Sequence, residues 1–145
     1  MIPWTSTDDA FDDLWEDHTE TVPDMLTTMF AQQEQHIRAY ADNNFGDTLD
    51  LNLLGDIDKR EVQAALHENY GYLIRELSEA MDHLKNKPWK HTLVPVARED
   101  FNEELADVWH FLIQFMLIAG LTPLDVFKGY FTKSAINVHR QQTGY

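Results

Sequence analysis

Residues 100–119 read DFNEELADVWHFLIQFMLIA. This stretch is apolar on most sides of a helix and lacks period-two alternation, so it predicts the central helix of an all-α bundle. Its polar residues are few and ordered: Glu103, Asp107, His110 and Gln114 step by four, three and four, with Glu104 beside them. Residues at those steps share one helix face. A polar line of this kind is costly to bury without partners, although an ordinary solvated helix face has the same spacing.

Working outward, Asp58 to Asn86 reads as a second long helix. Leu66, Leu73, Leu77, Met81 and Leu84 form an apolar stripe, and Tyr72, Glu76, Glu79 and His83 form a polar one next to it. A helix from Val22 to Ala41 has Pro23 near its start, and Asn, Gly and Asp residues break the chain after it. Residues 6–20 have Ser and Thr caps and an acidic first turn, which favour a short surface helix. A final helix runs from Pro123 to about Gln141. The expected architecture is therefore about five helices in one domain spanning residues 1–145, with no solenoid-length repeat.

The net charge is -14, from 25 acids against 11 Lys and Arg, which disfavours a nucleic-acid binder because such a protein needs a basic stripe to displace counterions. Cysteine is absent, which excludes thiolate chemistry and disulfides and suits a reducing cytoplasm. The start, MIPWTSTDDAFDDLW, lacks the pattern of a signal peptide, and VWHFLIQFMLIAGL is too short and polar-dotted to cross a bilayer. The expectation is a cytoplasmic protein with neither a nucleic-acid nor a membrane partner.

Two carboxylate pairs, Glu76/Glu79 and Glu104/Asp107, are the main chemical signal. Acids three apart share a helix face, so two such helices side by side bring four carboxylates around one point. Repulsion there is tolerable only with cations or protons, and hard cations such as Mg2+ prefer oxygen ligands. A di-iron reading of Asp107-x-x-His110 is a second option, but its repeat is missing, because Glu79 and His83 are four apart. Lys85-Asn-Lys87-Pro-Trp89-Lys90 combines cations with one aromatic ring. It reads either as a solvated helix end or as a loop that stacks a base and meets a phosphate. Lys133, Asn137 and Arg140 share a helix face that suits phosphate oxygens, and a basic last turn is the plainer alternative.

Taken together, Glu76-x-x-Glu79, Lys87-x-Trp89-Lys90, Glu104-x-x-Asp107-x-Trp109-His110-Phe111 and Tyr130-x-x-Lys133-x-x-x-Asn137-x-x-Arg140-Gln141-x-x-Gly144-Tyr145 resemble the dimeric, all-α dUTPases of the MazG-like NTP pyrophosphatase superfamily. The resemblance implies hydrolysis of dUTP to dUMP and pyrophosphate. It implies Mg2+, with Mn2+ as a chemically similar substitute, on Glu76, Glu79, Glu104 and Asp107, with Glu76 or Glu79 as the base. It further implies Lys133, Arg140 and Tyr145 on the phosphates, Asn137 near the nucleotide, Trp89 on the base and Gln33 as the base-reading amide. Lys87 and Lys90 belong with Trp89 to the substrate-binding loop. Homodimerisation is implied too, with a tetramer as the larger form. The family commonly follows the early Gln with a Leu-Asn pair, whereas Gln33 is followed here by Glu-Gln-His-Ile. The departure makes a dCTP and dUTP pyrophosphatase, or one acting on noncanonical deoxynucleotides, the nearest alternative. The short length suits a compact phage version.

Overall fold

The computed structural model describes residues 24–42 and 49–144, and the helix expected over residues 6–20, Pro23 and Tyr145 lie outside them. Four α-helices carry the described chain: α1 (Met25–Asp42), α2 (Arg60–Asp82), α3 (Arg98–Ile118) and α4 (Pro123–Thr143), with a 3-10 turn at Leu51–Leu53. Among the described residues there is no strand, so the protein is all-α. None of these helices alone is long and apolar enough to cross a membrane.

Each helix starts and stops for local reasons. The Asp24 carboxylate accepts the Thr27 amide at 3.2 Å and the Thr27 hydroxyl at 2.7 Å, satisfying donors that the first turn of α1 leaves open. Thr122 and Asp125 form a capping box at α4, with Pro123 pre-set for the first turn. α2 ends at Asp82, short of the expected Asn86, because Asn86 is drawn into the following loop. There its amide donates to the Val94 carbonyl at 3.0 Å and accepts the Val94 N–H at 2.7 Å.

α3 is the central helix, as its composition predicts, and it packs against both α2 and α1. α2 and α3 run antiparallel. Asn69 Nδ2 of α2 donates to the Phe111 carbonyl of α3 at 2.8 Å, and seven residues further along α2, Glu76 is paired with Glu104, seven residues back along α3. The face that α2 buries is not the predicted leucine stripe. Val62, Asn69 and Ala80 are the buried positions, whereas Leu77 is 43% exposed and Met81 58%. Small Ala80 and hydrogen-bonded Asn69 admit a close approach to α3, which leaves Leu66 and Leu73 half-buried and Leu77, Met81 and Leu84 exposed.

The turn after α3 depends on two glycines. Gly55 and Gly120 have φ of 87° and 80°, and the Gly55 amide donates to the Ile118 carbonyl at 3.0 Å. A Cβ on Gly120 would lie 2.6 Å from Gly55 Cα, so backbone meets backbone with no room for a side chain. This contact ties the segment after the 3-10 turn to the end of α3. α4 then departs at 103° to α3, packs lightly on α1 and buries none of its residues.

Gly120→Ala should therefore lower stability by about 2 kcal/mol or more through strain and overlap. Gly71→Ala, in the middle of α2 with nothing within 4 Å, should raise it by about 0.5–1 kcal/mol through helix propensity. Chemical denaturation of both variants against the parent checks the pair, and equal effects would contradict the packing described.

Candidate active site

The antiparallel register of α2 and α3 brings the two acidic pairs together. Ligand oxygens of Glu76, Glu79 and Glu104 lie within 4.8 Å of one another, each on a half-buried side chain. At that separation each pair of charges repels by on the order of 1–3 kcal/mol after solvent screening. Asp107, the fourth acid expected from the sequence, is not part of that three-residue grouping, but its charge acts on Glu76. On α3, Glu104 joins this group while its neighbour Glu103 is exposed.

Glu76 responds most strongly. Its carboxyl is raised above the ordinary 4.5, first by burial and then by the charges of Glu79, Asp107 and Glu104, with Arg75 acting in the opposite sense. Arg75 Nε contacts Glu79 Oε1 at 3.1 Å, and His83 Nε2 lies 3.8 Å from Glu104 Oε1. The three-residue grouping contains no histidine, so its donors are all carboxylate oxygens. That set fits a hard divalent cation and offers no support to the di-iron pattern.

A cavity of about 590 Å3 opens beside the acids, walled by α1, residues 49–54, α2 and α3. Asp107 lines it and so links cavity to acidic group. Tyr72 and Phe111 stack across one wall, with ring centroids 5.4 Å apart. Gln33, predicted as a base-reading amide, is 7% exposed and lines the cavity, and His36 and His110 line it with ring centroids 6.3 Å apart. Asn69 was not singled out by the sequence. It lines the cavity at 2% exposure, and its Oδ1 has no hydrogen-bond partner among the described residues. Its sequence neighbours, His67, Glu68, Tyr70 and Gly71, give no apolar run to mark it as buried.

The remaining predicted residues are placed elsewhere. Lys87-Pro88-Trp89-Lys90 is a β-turn closed by the Lys90 amide on the Lys87 carbonyl at 3.0 Å, with Pro88 in the position where its fixed φ is favoured. Trp89 is 73% exposed, with the Lys87 ammonium 5.5 Å from its ring centroid. Lys133, Asn137 and Arg140 are exposed on α4. None of these six lines the cavity.

A family model described as dUTPase matches residues 26–120, which hold all of α2 and α3 with the four acids, together with Gln33, Lys87, Trp89 and Lys90. The chain belongs to the dUTPase family. Membership places it among hydrolases that act on nucleotides. The match ends before Lys133, Asn137, Arg140 and Tyr145. No curated protein and no solved structure matches the chain.

The raised Glu76 carboxyl gives this dUTPase-family chain a defined pH response. A carboxyl that binds its proton more tightly when folded leaves stability full below the ordinary 4.5, and stability is lost as pH rises through the raised folded value. Glu76→Gln should flatten that slope and raise the metal-free unfolding midpoint by a few degrees at neutral pH, with little change in acid. Thermal unfolding as a function of pH reads both effects, and parallel profiles for parent and variant would contradict this account.

Proposed function

We propose that this chain hydrolyses dUTP to dUMP and pyrophosphate in a Mg2+-dependent reaction, serving nucleotide-pool sanitation and dTMP-precursor supply. The observation that carries the reading is the meeting of Glu76, Glu79 and Glu104 beside a nucleotide-sized cavity that Asp107 lines, in a chain of the dUTPase family. The all-oxygen donor set supports Mg2+, with Mn2+ as a substitute. Glu76, Glu79, Glu104 and Asp107 would hold the metal, which when bound neutralises triphosphate oxygens and lowers the pKa of a water. Glu76 or Glu79 takes the proton of the attacking water as its oxygen bonds to phosphorus and the phosphoanhydride bond to pyrophosphate breaks. Tyr72 and Phe111 give one wall of the cavity an aromatic face.

The family resemblance assigns Trp89 to the base and Lys87 and Lys90 to the substrate, although none of the three lines the cavity in this structure. Lys133, Asn137, Arg140 and Tyr145 are assigned to the nucleotide and its phosphates. A second reading, dCTP hydrolysis alone or alongside dUTP, draws support from Gln33, because an amide can serve either pyrimidine edge.

Turnover of dUTP, dCTP, dTTP and UTP with and without Mg2+ tests the reading. Pyrophosphate should be released from dUTP only when Mg2+ is present. Glu79→Ala should lower kcat by more than ~100-fold, beyond the loss typical of groups that merely support a metal ligand. No release from dUTP or dCTP would overturn the proposal.

We also propose a homodimer. Leu124, Phe127 and Phe131 of α4 are each more than half exposed, Trp109 of the otherwise apolar α3 is 49% exposed, and Leu77, Met81 and Leu84 of the predicted leucine stripe are exposed. That is more apolar surface than a monomer ordinarily leaves uncovered. Sedimentation equilibrium should give twice the 16.9 kDa chain mass. Phe127→Asp with Phe131→Asp should shift it to monomer; a tetramer would enlarge the assembly, and a parent monomer would remove it.

A further inference from the structure

Two amides from distant parts of the chain meet in the cavity. Gln33 Nε2 of α1 donates to Gln114 Oε1 of α3 at 2.9 Å, and both residues line the cavity wall. Gln33 is 7% exposed and Gln114 half-buried, so neither is a surface amide paired by chance. The other amides near Gln33 in sequence, Gln32 and Gln35, are exposed. Gln114 shares a face of α3 with Asp107, seven residues away, roughly 10 Å along the axis. The cavity thus carries two carboxylates, Asp107 of α3 and Glu68 of α2, and a neutral amide pair two turns beyond Asp107 on α3.

A side-chain amide has one acceptor oxygen and two N–H donors. With one Gln33 N–H spent on Gln114, the pair still has the second Gln33 N–H and the Gln114 NH2 as donors and both oxygens as acceptors, and the Gln33 oxygen with the Gln114 NH2 makes one acceptor–donor set. A pyrimidine shows a matching pair at positions 3 and 4: N–H and carbonyl oxygen in uracil, ring nitrogen and amino group in cytosine. The link couples the two amides, because turning one requires turning the other to keep the bond. Base choice is therefore set jointly, and a single flip would leave two like groups facing each other.

Resting on the reading of this cavity as a nucleotide site, we infer that Gln114 is a specificity-determining residue: it fixes the Gln33 amide and supplies the second hydrogen-bonding group for the pyrimidine edge. The phosphates then lie toward Asp107 and the base toward Gln114.

Calorimetric titration of the full chain in Mg2+ with dUMP, dCMP, dAMP and pyrophosphate tests this without requiring turnover. The parent should bind dUMP or dCMP in preference to dAMP. Gln114→Leu, and the near-isosteric Gln114→Glu in case the first fails to fold, should weaken the preferred pyrimidine nucleotide at least ~10-fold while leaving pyrophosphate affinity unchanged. Folded variants that bind the preferred nucleotide as the parent does, or that lose nucleotide and pyrophosphate alike, would overturn the inference, as would a parent without pyrimidine preference. A parent that binds dUMP with the expected Gln114 dependence yet releases no pyrophosphate from dUTP would remove the enzymatic reading and leave this one standing.

Discussion

The antiparallel contact of α2 with α3 is the constraint on which the rest of the structure depends. It is stitched by Asn69 to the Phe111 carbonyl and closed over Val62, Ala80 and Ile113, all at 3% exposure or less. That register forces Glu76, Glu79 and Glu104 to within 4.8 Å of one another, with Asp107 near by. Hydrophobic burial, which is not directional, thereby holds like charges together that electrostatics alone would separate. On Glu76, burial first and then the neighbouring charges raise the carboxyl's affinity for a proton.

The cavity is a second consequence of that hairpin. α1 packs on α3, where Gln33 meets Gln114, and residues 49–55 are anchored by the Gly55 amide on the Ile118 carbonyl. Four separate parts of the chain wall the space, and of these α3 carries acidic residues as well as a member of the amide pair. One helix therefore carries residues for both the phosphate and the base ends of the proposed site. The Asn86 clasp holds the Trp89 turn outside that space, and α4 leaves it altogether at 103° to α3.

Several features were legible from residues alone because their causes are local. The all-α class follows from periodicity, the start of α4 from Thr122 and Pro123, and the sharing of a face by Glu76 with Glu79 from helical geometry. Nonlocal features were less legible. The buried face of α2 was misread, since Leu77 and Met81 outweigh Ala80 in hydrophobicity while Ala80 permits the closer approach. Asn69 and the partnership of Gln33 with Gln114, 81 residues apart, have no signature in spacing.

By itself, then, the sequence determined the helical segments, the caps of α1 and α4 and the sharing of a face within each acidic pair, because these depend on residues within a few turns of one another; the resemblance to all-α dUTPases was also legible from residues alone. The tertiary structure decided which acids converge, with Glu104 and not Glu103 facing α2, and which amide Gln33 meets. It also decided which apolar stripe stays outside. Those outcomes depend on how closely two backbones approach and at what register, and that is fixed by packing volume across the helix contacts.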